Sequence, residues 1–198
     1  MRFWWAAHFS YGRALLKSAN QTRSVLLVVL PYRLGDATTD TSKKAVRSFL
    51  AFPYGVLTLA SYVWRFAQNL NEVAILDLNL PCGEAPDVLL KRKISEMQPD
   101  VVGFSMSYDV SYRWLKSLAE VVKTHDSGIC TVAGGPAVTT AYTEILAECT
   151  QLDAACYSEG EVGLKSLIES ESIALALSKD PWITQEKLRQ KITTSPVY

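Results

Sequence analysis

Histidine is almost missing from this chain, which has only His8 and His125. A nucleophile relay of Ser, His and Asp needs a histidine at the business end of a strand. His8 precedes the first strand-like run and His125 falls at a helix end, so neither is placed for it. Cysteine is sparse as well. Cys82, Cys130, Cys149 and Cys156 are widely spaced, and no Cys-x-x-Cys pair occurs, which argues against a zinc site or a dithiol redox motif. Net charge is also missing, because 20 basic residues balance 20 acidic ones. Nucleic-acid binders usually carry a basic excess, and no such partner is expected. No Gly-x-Gly-x-x-Gly opens the first helix and no Walker A sequence exists, so the usual dinucleotide and P-loop sites are disfavoured.

What remains is the profile of one soluble globular domain with extra chain at its ends: 198 residues, 48% hydrophobic and 20% charged. Cys130 and Cys156 fall in apolar runs, where a thiol acts as a small buried hydrophobe. The expected location is the reducing cytoplasm. Residues 1–23 form an apolar extension carrying Phe3, Trp4, Trp5 and Phe9, broken by Arg2, His8, Arg13 and Lys17. It is too short and too charged to span a bilayer, and it lacks the layout of a signal peptide. Three readings stay open: a helix packed on the domain or a neighbour, a membrane-surface helix through residues 1–17, or a tail.

From residue 24 the pattern alternates. Ser24–Leu30 is a continuous apolar run stopped by Pro31, which predicts a buried strand. A long polar connection from Pro31 to Pro53 follows, of a length that is often functional. A helix is expected after Phe52-Pro53-Tyr54-Gly55, with Val56, Leu57, Leu59, Ala60, Val63 and Trp64 on one face. Glu72–Leu78 is the second strand, and Pro86–Met97 the second helix, with Pro86 suited to its first turn. The third strand begins at Val101 and breaks at Gly103-Phe104-Ser105, and a helix covers Ser111–Lys123. Ile129–Ala133, a helix near Tyr142–Cys149, Asp153–Tyr157 and a helix carrying Leu164, Leu167 and Ile168 complete the series. Residues 170–198 are less patterned and read as a linker or tail.

Five strands alternating with helices predict a doubly wound, flavodoxin-like α/β domain over residues 24–169. Its parallel sheet should run in the order 2-1-3-4-5. A ligand then binds beyond the strand carboxyl ends at the switch point between strands 1 and 3. Candidate residues lie in the loops that meet there. Gly134-Gly135-Pro136 allows close backbone approach or simply a tight turn. Ser105 and Ser107 offer hydroxyls for a ligand or for local backbone groups. Glu159-Gly160-Glu161 opens a helix, where acidic residues complement the dipole and disfavour phosphate. A response-regulator receiver does not fit, because Asp77 ends the second strand rather than the third and no Lys ends the fifth.

The order of these pieces resembles the amino-terminal cobalamin-binding domain of cobalamin-dependent radical SAM enzymes. The matching stretches are Pro31, Pro53-Tyr54-Gly55 leading into Leu57 and Leu59, Pro99-Asp-Val-Val-Gly-Phe-Ser105, Ala133-Gly-Gly-Pro136 and Ser158-Glu-Gly-Glu161. Pro181-Trp-Ile-Thr184 resembles the linker toward the radical SAM barrel. The resemblance implies that Ser105, Gly134, Gly135, Glu159 and Gly160 line a groove for the cofactor's nucleotide tail. It also implies that the Pro31–Gly55 loop, with Pro53, Tyr54 and Gly55, and the Ser107-Tyr108 region lie near the corrin ring; Met106, Pro136 and Glu161 complete the candidate set. Asp-x-His-x-x-Gly is absent: Gly35-Asp36 occurs with no His after it, so cobalamin should bind without a histidine on cobalt. The Cys-x-x-x-Cys-x-x-Cys motif is also absent, so this chain is expected to hold no iron–sulfur cluster and not to be catalytic by itself. A radical SAM domain or protein is the expected partner, and methyl transfer the expected chemistry. Two other readings stay beside this one: a cofactor-free interaction module, and a nucleotide or flavin binder on the same fold.

Overall fold

The protein is described by a computed structural model covering residues 22–32, 51–81 and 83–194. Most of the amino-terminal extension, most of the Pro31–Pro53 connection, including Gly35-Asp36, and Cys82 lie outside the described residues. Strand β1 (Arg23–Val29) is buried along its whole length. An uninterrupted run of this kind is stable only where both faces of the sheet are covered. Leu26, Val28 and Leu30 enter one core, while Val25, Leu27 and Val29 enter the other. Each such buried side chain contributes roughly 1.5–3 kcal/mol.

Helix α1 (Tyr54–Phe66) buries Val56, Ala60 and Val63, a stripe at helical spacing. Next come β2 (Leu70–Asp77) and α2 (Pro86–Met97), with Pro86 in the first turn and Gln98 left-handed at the end (φ 47°). Strand β3 (Val101–Ser105) leads through a short 3₁₀ turn at Asp109–Ser111 into α3 (Tyr112–His125). Then follow β4 (Cys130–Gly134), α4 (Pro136–Glu148), β5 (Ala154–Cys156) and α5 (Gly160–Glu169). Helix α4 starts six residues earlier than its apolar pattern announces, because Ala141 is non-helical (φ −128°, ψ 25°) and splits it. The first half carries the exposed Thr139 and Thr140, whose hydroxyls bond back to the carbonyls of Gly135 and Pro136. It therefore shows no apolar stripe.

The sheet order is β2-β1-β3-β4-β5-β6. Its first five strands are parallel, as the alternation predicts. The sixth corrects the expected count. Residues 170–194 form α6 (Ile173–Leu177), β6 (Trp182–Ile183) and α7 (Gln185–Thr194), and β6 pairs antiparallel with β5. A two-residue strand is too short to show alternation, so its sequence read as linker or tail. Trp182 and Ile183 are both buried, one in each core.

The strand amino ends are tied by charge. The Asp153 carboxylate accepts from Lys123 Nζ and the Thr131 amide, both at 2.7 Å. The buried Arg23 guanidinium donates to the carbonyls of Leu167 and Ile168, capping the end of α5. Among the described residues no helix is long and apolar enough to cross a membrane.

Candidate functional site

In this sheet β1 lies between β2 and β3, so the chain leaves β1 toward one side and enters β3 from the other. That divergence opens a crevice beyond the strand carboxyl ends. The crevice has a volume of about 810 Å³. Its floor is the sheet face that carries Leu27, Gly103 and Val132. Gly103, Ser105 and Gly134 belong to the central strands β3 and β4, yet each is only half-buried. Lacking large side chains, they leave a slot where α1 and α5 would otherwise meet the sheet.

Twelve of the thirteen residues expected at the site line this crevice. They are Pro53, Tyr54, Gly55, Ser105, Ser107, Tyr108, Gly134, Gly135, Pro136, Glu159, Gly160 and Glu161. Met106 does not line it. Side chains alternate along a strand, and Met106 continues the phase of Phe104 into the opposite core. Its backbone does contribute: the Met106 amide donates to Gly134 O at 2.9 Å. A Cβ on Gly135 would stand 2.8 Å from the Met106 carbonyl, and Gly135 has φ +108°. Only glycine fits that turn.

Tyr32, within the Pro31–Gly55 loop expected near the ring, and the unforeseen Asn79 also shape the site. Tyr32 follows β1, and its ring lies 5.2 Å from that of Tyr108, tilted by 52°. The Tyr32 hydroxyl accepts from the Ala51 amide at 2.7 Å. Asn79, buried at the end of β2, fixes this segment. Its side chain accepts from the Tyr32 amide and donates to Leu30 O, both at 3.0 Å. An Asn just past a buried strand is a cue for such a cross-link, but it also reads as an ordinary strand stop. Leu59, Leu164 and Trp182 form the wall opposite the floor. Trp182, from the tail, is 3% exposed, and its indole N–H donates to Gly163 O at 3.2 Å.

Polarity is graded along the crevice. The outer rim carries Phe52 and Tyr54, 73% and 74% exposed, with the carboxylates of Glu159 and Glu161. Neither Ser105 nor Ser107 has a side-chain hydrogen-bond partner among the described residues, so both hydroxyls are available to a ligand. At depth, the Cys156 thiol donates to Ser158 O at 3.1 Å. Burial pushes this thiol's pKa up, so it remains a neutral lining group. No group of three or more His, Cys, Asp or Glu side chains able to hold a metal occurs among the described residues. His125 lies at the end of α3, toward the strand amino ends and away from the crevice.

Comparison with known proteins agrees with this fold. No curated protein matches the chain. Among solved structures, the methanol:cobalamin methyltransferase complex MtaBC from Methanosarcina barkeri shares the fold, with a TM-score of 0.50 and 14% identity. The match covers 90% of this chain and 54% of that one, so the chain spans about half the length of that relative. Residues 44–168, more than half of the chain, match the B12 binding domain family. The chain therefore belongs to the B12-binding-domain family.

Proposed function

We propose that this chain carries cobalamin with its nucleotide tail in the crevice and no protein histidine on cobalt, and presents the exposed face of the corrin to a separate catalytic unit. The observation that carries the reading is the slot over Gly103, Ser105 and Gly134, left open by the described residues, within a domain of the B12-binding family. The residues fit such a group. A long amphipathic tail needs small residues for close approach, an apolar inner end and a few polar partners nearer the mouth. Gly134 and Gly160 provide the close approach, because side chains there would fill the slot beside Cys156 and Leu59. Ser105 provides a hydroxyl between the apolar depth and the rim. The exposed Tyr54 and Tyr108 offer ring surface beneath a flat macrocycle.

When bound, cobalamin supplies a cobalt centre that carries a methyl group. The chain's own part is to hold and orient it. Tyr32 and Tyr108 wall the mouth, and the backbone at Gly135 keeps the turn shallow. The partner we infer is a radical SAM domain or protein, on the strength of the motif order through Pro99–Ser105, Ala133–Pro136 and Ser158–Glu161. That partner supplies the three-cysteine cluster that this sequence lacks, and the reaction is methyl transfer. The methyltransferase complex with the same fold favours a second reading of the partner, a methyltransferase subunit without a radical step. Purified protein mixed with hydroxocobalamin and passed through gel filtration tests cofactor carriage. One equivalent should co-elute with the protein. Colourless protein that is folded by circular dichroism would return the chain to an interaction module or to a binder of another cofactor.

A further inference from the structure

We propose that the inner end of the crevice selects among cobamides by the base that ends their nucleotide tail, favouring an apolar benzimidazole over adenine. The inference rests on the cobalamin reading given above and adds the ligand class to it.

The argument is a count of unspent hydrogen-bonding groups. The floor at depth is Leu27, Gly103 and Val132, and the wall is Leu59, Leu164 and Trp182. Among the described residues, the polar side-chain groups beside this floor and wall, the Cys156 thiol and the Trp182 indole N–H, are already committed. The Cys156 thiol donates to Ser158 O, and the Trp182 indole N–H donates to Gly163 O. The strand backbones beneath are paired in the sheet ladder, Leu27 with Gly103 and Gly103 with Val132 among them. The hydroxyl of Ser105 lies at the last residue of β3, toward the rim, where it suits the sugar or phosphate rather than the base. Adenine brings an amino group and several ring nitrogens into this end, and none finds a partner among these floor and wall residues. A dimethylbenzimidazole brings mostly hydrocarbon edge. Buried polar groups left unpaired cost affinity, and the expected discrimination is roughly 10- to 100-fold. Detaching the base from cobalt is easier for adenine, the weaker base, so a preference for benzimidazole would not arise from that step.

The test is equilibrium binding of three corrinoids to the full chain: cobalamin, the cobamide with adenine as its base, and cobinamide, which has no tail. Quenching of tryptophan fluorescence and the corrin spectrum provide the readout. Cobalamin should bind at least tenfold more tightly than either of the others. Cobalamin and the adenine cobamide binding within tenfold of each other would overturn the selectivity while leaving cobalamin carriage intact. Equal affinity for cobinamide would remove the tail from the crevice and overturn it as well. If none of the three binds, the cofactor reading itself fails, and this inference with it. Leu59→Gln puts an amide at the half-buried wall facing Gly160. In the folded variant the ratio of cobalamin to adenine cobamide should narrow severalfold, and an unchanged ratio would place the base elsewhere and overturn the assignment.

Discussion

The indole N–H of Trp182 donates to the carbonyl of Gly163 at 3.2 Å, joining the carboxy-terminal strand β6 to the helix that walls the crevice. The approach is close: a Cβ on Gly163 would meet Pro181 Cδ at 2.9 Å and the Trp182 ring at 3.2 Å. Gly163→Ala should therefore destabilise the fold by roughly 1–3 kcal/mol through overpacking. Trp182→Phe loses that hydrogen bond and leaves part of the buried indole's volume empty, which together cost roughly 1–3 kcal/mol. Urea denaturation of both variants checks this, with each expected to lower the midpoint and an unchanged midpoint for either contradicting the close packing.

Gly135 is the sharpest single position in the site. An alanine there meets both a disfavoured φ and a backbone carbonyl that lacks a flexible end to move aside. The cost should be at least about 1–3 kcal/mol. A lower Tm together with weaker hydroxocobalamin binding is the expected result. Gly55→Ala, where a Cβ meets nothing within 4 Å, is the stability control and should leave Tm nearly unchanged.

Asn79 is expected to position Tyr32 rather than to touch the ligand. Asn79→Ala leaves the Tyr32 amide and the Leu30 carbonyl without their partner. Each such group costs about 1–3 kcal/mol when it stays buried and unpaired. Affinity for hydroxocobalamin should fall alongside stability. Tyr32→Phe removes only the hydroxyl contact to Ala51 and should leave both closer to the unchanged protein.

Stability should fall at alkaline pH through Cys130. Burial pushes this thiol up to about 12, with Asp153 acting in the same direction and Lys123 and Arg23 opposing it. The folded state then holds its proton between pH 9 and 12, where the unfolded chain releases it. Fewer protons on the unfolded state mean that stability drops as pH rises, by up to about 1.4 kcal/mol per pH unit for one group. Below pH 9 the contribution is complete. Cys130→Ala should flatten the stability–pH curve between pH 9 and 11, as urea midpoints across that range would show.

Much of this architecture is legible in the residues. The apolar run at Ser24–Leu30 has only one stable use, a strand covered on both faces, and Pro86 and Pro99 bracket the second helix directly. The switch-point loops follow from strand order, so Ser105, Gly134, Gly135 and Gly160 could be placed together before any coordinates. Three kinds of residue escaped. Met106 sits one step out of phase, and a loop written as small polar residues does not reveal where strand alternation ends. Trp182 belongs to a strand of two residues, which carries no periodicity. Asn79 acts on Tyr32 through a contact 47 positions apart in sequence, and an Asn past a strand end reads equally as an ordinary stop.

The most direct test of the account is the visible spectrum of cobalamin retained by the protein, recorded for the unaltered chain and for His125→Ala. The account predicts one bound equivalent with the benzimidazole detached from cobalt, because the crevice holds the tail, and an identical spectrum for the variant. Cobalamin bound with its base still on cobalt would contradict the central claim, since the tail would then lie outside the slot over Gly103 and Ser105.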